Sequence, residues 1–467
     1  MANRWKGNFV IAAATTSSGA NYIGKADGAW SLNNQLQQKQ ANLWSKSIGT
    51  PTAPTIGAAV GGNASATVNF TASSDIGAPS VTYTATSTPE GITATGTSGP
   101  ILMSGLTNNV SYTFKVKATN SVNLVSSESA ASNSVTPVGV SLVSFAVTGA
   151  SNCFETYTWT GGLVTKFANP ATPLNDAMSL CFKGDGSVLS VGKAAIPNAY
   201  AISGGSYGTK YAAPATTFGG GIFGQQFSPD GTLVVYAAFS APSINLYPWN
   251  NTNGFGTKYA NPSTAVNGVG EGVSFYPDGT VILVKNDSTP FVTAYAVSSS
   301  GFGTKFADPS SLATFSYMTG KTISVKTGAV AFTCNVSPSI HAYAWSNGFG
   351  TKYANPSSLP TGPQGLGVSF SSSGNSLVVA TKNSPYIAGY NWSNASGFGT
   401  RYANPANALP AETTDIAFMA NNSAIIVGGT TSPFVTAYNW SDSGFGSVIS
   451  NNGNSLAARP AYIATNN

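Results

Sequence analysis

Residues 347–358 read NGFGTKYANPSS, and the phrase returns along the chain. Close copies stand as SYGTKYAAPAT from Ser206, GFGTKYANPST from Gly254, GFGTKFADPSS from Gly301 and GFGTRYANPAN from Gly397. Worn copies flank them, GLVTKFANPAT from Gly162 and GFGSVISNNGN from Gly444. The copies lie 44 to 49 residues apart. One period holds four strand-like runs. From Glu271, EGVSFYPDGT is a strand A ending in a tight Asp-Gly turn, and TVILVK is a strand B whose unbroken apolar run suits burial on both faces. PFVTAYAV is strand C. GFGTKFADP is strand D, stopped by a proline that cannot donate to a ladder.

The ends of the repeat region complement each other. SLVSFAVTG from Ser141 matches strand B with no strand A before it, and ARPAYIATNN at 458–467 matches strand A with no strand B after it. Paired, they complete a shared sheet and remove the open edge that a linear stack leaves. A period near 47 lies between those of WD40 and kelch units. The expected architecture is all-β, with a seven-bladed β-propeller over 139–467 closed by the C-terminal strand. The Gly-Phe-Gly of each phrase is expected to form the C–D corner, and the Tyr or Phe two places before Asn to pack inward.

Residues 50–138 read as one β-sandwich. In GLTNNVSYTFKVKATNSV, 105–122, Tyr112, Phe114, Val116 and Ala118 alternate with Ser111, Thr113, Lys115 and Lys117. The arrangement of Leu106, Tyr112, Phe114 and Asn120 resembles a fibronectin type III domain. That resemblance implies that the Tyr112 hydroxyl bonds backbone upstream. Residues 1–49 differ from the rest and make the fold partly helical at its start. Trp30 to Trp44 is a helix candidate with Ser31 as cap and Leu32, Leu36 and Leu43 near one face. A helix this short is marginal alone. Trp5, Trp30 and Trp44 therefore point to an assembly anchor, with a flap packed on the next domain as the alternative.

Charged residues make up 7% of the 467, against about 25% in ordinary globular chains. The net charge of +5 is dispersed, so no nucleic-acid footprint exists. The three cysteines, Cys153, Cys181 and Cys334, lie too far apart for a disulfide framework or zinc site, and no cofactor or metal is expected. No apolar run approaches the roughly 20 residues of a membrane helix. The apolar patch after Arg4 and Lys6 is at the low limit for a signal, so synthesis in the cytoplasm without general export is expected.

Catalysis is not expected. The sole histidine, His341, falls in a strand C slot filled elsewhere by Asn245, Thr293, Ala388 and Thr436. Asp230 and Asp278 are turn residues. Glu271, Asp287, Glu412 and Asp415 are the remaining candidates for paired carboxylates. Binding is more plausible, in the variable B–C loops, where Lys285, Asn286, Asp287, Lys382 and Asn383 stand out. The A–B turns offer little surface. Each of six phrases carries a base: Lys166, Lys210, Lys258, Lys305, Lys352 and Arg401. These form either a basic belt for an anionic partner or long side chains lying over strand C aromatics.

The segment GKADGAWSLNNQLQQKQANLW, the sandwich and the GFGTKYANP repeats together resemble tailed-bacteriophage virion structural and fibre proteins. The resemblance implies a virion location and an N-terminal end attached to other virion proteins. It also implies a homo-oligomer, a trimer by analogy, with the propeller meeting a host-surface glycan or protein. A bracing component of head, neck or tail and a polysaccharide depolymerase are the other readings.

Overall fold

The computed structural model describes residues 49–466 apart from 63–64, 79, 109, 138, 140, 150–151, 194–195, 204, 217, 219, 312–322 and 420. The helix expected at 30–44 and the anchor residues Trp5, Trp30, Leu32, Leu36, Leu43 and Trp44 lie outside the described residues. Every regular element described is a strand. The chain divides between residues 139 and 140 into two units.

The first unit has two three-stranded sheets. Ser65–Thr71 lies between Thr55–Gly62 and Ile101–Ser104, and Val81–Thr88 between Thr93–Gly96 and Thr113–Asn120. The two-residue alternation places Tyr112, Phe114, Val116 and Ala118 in the core with Val68, Tyr83 and Met103. The Tyr112 hydroxyl accepts the Thr107 N–H (2.9 Å) and donates to Glu90 Oε2 (2.6 Å), which ties the ring to backbone upstream. Beside Thr113–Asn120 the chain runs irregularly. Ser126, Ser129 and Ser132 donate their N–H groups to the carbonyls of Ala118, Val116 and Phe114. Their hydroxyls accept the N–H groups of the same three residues. Serine at every third position thus satisfies an edge that the backbone alone would leave half-paired.

The second unit has seven four-stranded antiparallel sheets among the described residues, here numbered I to VII. Their A strands are Ser179–Phe182, Ile222–Phe227, Gly270–Phe275, Ile323–Lys326, Gly365–Phe370, Thr413–Phe418 and Pro460–Thr465. Each A strand touches the one before and the one after, and the last touches the first. In sheet VII the C-terminal strand pairs with Leu142–Val147, with Ile463 opposite Phe145 and Ala464 opposite Ser144. The Asn466 side chain accepts the Leu142 N–H (2.5 Å) at the end of this join.

The A strands of neighbouring sheets are bridged by side chains. Gln226 Oε1 accepts the Phe275 N–H (2.6 Å), Ser324 Oγ the Phe370 N–H (3.0 Å) and Asp415 Oδ2 the Ile463 N–H (2.8 Å).

The phrase works outward from there. Its Gly-Phe-Gly opens strand D, and Phe255, Phe349, Phe398 and Phe445 pack edge-on against the strand C tryptophans of their own sheets at 5.0 to 5.2 Å. The aromatic after the basic residue reaches the next sheet. Tyr211, Tyr353 and Tyr402 pack on Trp249, Trp392 and Trp440 at 4.9, 5.0 and 5.3 Å. Their hydroxyls donate to the carbonyls of Asn251, Asn394 and Asp442. The tail of the phrase is gripped in return. Strand C tyrosines Tyr247, Tyr295, Tyr390 and Tyr438 donate to the carbonyls of Thr216, Thr264, Ser358 and Asn407, which follow the proline of the preceding phrase. The first glycine leaves room for this clasp. Gly397 has φ +76°, and a Cβ there would meet the Tyr353 ring at 2.7 Å.

Candidate functional site

Except for Lys258, which follows the short strand Gly254–Phe255, the basic repeat lies on strand D, last in every four-stranded sheet. Lys166, Lys210, Lys305, Lys352 and Arg401 stand opposite strand C tyrosines Tyr157, Tyr200, Tyr295, Tyr343 and Tyr390. Lys166 and Lys210 place their ammonium groups 5.9 and 5.8 Å from those rings. Lys258, Lys305 and Arg401 bond the Asn or Asp three residues on, at 2.5, 2.6 and 3.1 Å. These contacts match long side chains lying over strand C, and they tie three of the six heads within the phrase.

Of the loop candidates, Lys285 and Asn286 are misplaced by the sequence reading. Strand B of sheet III runs from Val281 to Asn286, and both residues are fully buried. The Lys285 ammonium is ion-paired with the Glu271 carboxylate, itself fully buried on strand A. Burial lowers Lys285 from 10.5 to about 7. Asn286 donates to the carbonyls of Asn267 (2.6 Å) and Ser288 (2.5 Å) and holds two loops together. Asp287 is half-buried and accepts the Val269 N–H (2.8 Å), a loop-fixing role. Lys382 and Asn383 are exposed in the B–C loop of sheet V.

The other titratable groups are also spent on structure. His341 lies opposite Phe332, as Asn245 lies opposite Tyr236 and Thr293 opposite Val284, and burial lowers it to about 4. It is therefore neutral near pH 7. Glu155 fills the same slot in sheet VII, where it takes Lys166 at 2.8 Å, the Tyr157 hydroxyl at 2.8 Å and the Ala457 N–H at 3.2 Å. Glu271 and Asp415 belong to different sheets, III and VI, each with its own partner. Among the described residues no group of three His, Cys, Asp or Glu side chains could hold a metal.

The sequence reading missed an axial cavity of about 740 Å³. All seven A strands line it, together with the A–B turns Pro277 and Ser371–Gly374 and the C–D residue Asn394. Among the described residues no B–C or D–A loop residue takes part. Its polar lining includes Gln226, Ser274, Ser324, Ser369, Asn394 and Thr465, and Lys326 is the one charged lining residue among those described. The Lys326 ammonium donates to Asn394 Oδ1 (2.6 Å) and to the Thr327 carbonyl (3.3 Å), and partial burial lowers its pKa.

No protein-family model matches the chain, and no curated protein sequence matches it. Solved structures do. A candidate 6-phosphogluconolactonase from Bacteroides fragilis superposes with a TM-score of 0.53 at 11% identity, covering 70% of this chain and 98% of its own. A Lactobacillus plantarum protein gives 0.54 at 11% identity, covering 70% and 99%. The fold is a β-propeller. At such identity the likeness carries the fold and nothing of the chemistry.

Proposed function

We propose that the chain is a non-enzymatic virion appendage of the tailed-phage type. In this reading residues 1–49 attach it to the particle, 50–138 form a fibronectin type III spacer, and 139–467 form a seven-bladed propeller that attaches to a host-surface glycan. The Tyr112 hydroxyl contact and the joining of the C-terminal strand to Leu142–Val147 support the two domain assignments. The observation that carries the functional reading is the use of the repeated phrase. Its aromatic side chains clasp neighbouring sheets and its basic side chains lie over strand C, which leaves the connecting loops as the variable surface on a rigid frame. Weak sites suffice when many copies act together.

Lactone or polysaccharide hydrolysis fits less well. Among the described residues the axial cavity is lined by no carboxylate or histidine, and general acid–base catalysis needs such a group within hydrogen-bond reach. Adsorption competition tests the attachment reading. Purified full-length chain is expected to block attachment of the particle that carries it, and antibody labelling to place residues 140–467 at an exposed tip. A propeller enclosed between other subunits, with no effect on adsorption, would favour the bracing role instead.

A further inference from the structure

We infer that the axial cavity binds a saccharide unit carrying one carboxylate, with Lys326 as its anion contact. The inference deepens the attachment reading and rests on it for the choice of a glycan. The cavity's size falls within the usual 300–1,000 Å³ of small-molecule sites. Its polar lining is of hydroxyls and carboxamides, groups that both donate and accept and so match the mixed hydroxyls of a sugar.

Charge narrows the class. Among the described lining residues there is one cation and no carboxylate, so an anionic group meets attraction and no like charge. The Lys326 ammonium has three donors, and two are directed to Asn394 and the Thr327 carbonyl. The third is left for a ligand oxygen, and the two fixed contacts hold the head in place before a ligand arrives. The site lies among the A strands and A–B turns, away from the loops where Lys382 and Asn383 project.

Methyl β-D-glucuronide and methyl β-D-glucoside share a ring and differ by a carboxylate, so they test the inference directly on the full chain. Binding followed by ligand-observed NMR and calorimetry at pH 7 is expected to favour the glucuronide by about tenfold, with a dissociation constant on the order of millimolar. Lys326→Met is expected to erase the preference while leaving weak binding of both probes. Ser372→Trp, at an exposed turn position on the cavity lining, is expected to remove binding of both without unfolding the chain. Equal affinity for the two probes, no binding of either, or unchanged binding in Ser372→Trp would each overturn the inference. Failure here leaves host attachment standing, because adsorption and virion location are read independently of this cavity.

Discussion

At the scale of single residues, the Lys285–Glu271 pair is an exception within its own repeat. The position opposite Gly272 holds lysine in sheet III, whereas the same position holds Ala237 in sheet II, Ala380 in sheet V and Gly428 in sheet VI. Glu271 falls where strand A slips by one residue, the place of Leu366 in sheet V. A buried ion pair is a weak source of stability, but removing one partner strands the other. Glu271→Gln at pH 6 is expected to cost about 3–5 kcal/mol in urea unfolding. The double change Glu271→Leu with Lys285→Ala, which copies sheet V, is expected to leave stability unchanged or raise it by up to about 4 kcal/mol. Equal losses in both chains would contradict this view of the pair.

The pH response of the same lysine has a definite sign. Burial holds its folded pKa near 7, below the unfolded 10.5, so between these values the unfolded chain binds the extra proton. The stability it contributes is full above the unfolded value and is lost as pH falls toward about 7. Relative to the double variant, the native chain should therefore weaken from about pH 10 down to 7 and run parallel below that. A flat difference across that window would show that the lysine keeps its ordinary pKa. The sequence hid all of this for a physical reason. A lysine at the end of an apolar run looks like the first solvated loop residue, and its partner arrives from another strand.

At the scale of elements, the period alone exposed the four-strand unit, and the matching ends of the region exposed the joined sheet. The strand order A to D followed because antiparallel neighbours need only short turns. The phrase is legible in hindsight as a clasp, since its first glycine, the aromatic after its basic residue and the carbonyl that follows its proline each answer to a contact with an adjacent sheet. Gly397→Ala is expected to destabilise by roughly 1–3 kcal/mol, because the backbone at φ +76° disfavours a side chain and the Tyr353 ring occupies its space. The alanine should be tolerated at Gly453, where φ is +77° but nothing lies within 4 Å, at a smaller cost. Thermal unfolding of the two variants compares crowding with backbone strain directly. Equal shifts would mean that the clasp contributes little.

The axial cavity was not legible in the sequence. Its lining comes from seven strands spread between Leu180 and Thr465, and no short motif brings Lys326, Asn394 and Ser369 together. Only the ring does so, which is why composition and loop variability pointed to the other end of the sheets.

At the scale of the whole molecule, every functional statement depends on the ring being closed by the chain's own C-terminus. The seam is well supplied with polar contacts. Asp415 accepts the Ile463 N–H, Thr465 donates to the Phe418 carbonyl at 2.9 Å, and Asn452 and Asn454 each donate to the Leu163 carbonyl at 3.0 Å. Paired cysteines placed at Ser144 and Ala464, which face each other across the join, test it most directly. Closure predicts rapid formation of an intramolecular disulfide on mild oxidation, seen as two proteolytic fragments held together until reduction. Cysteines that stay free, or that link only separate chains, would contradict it.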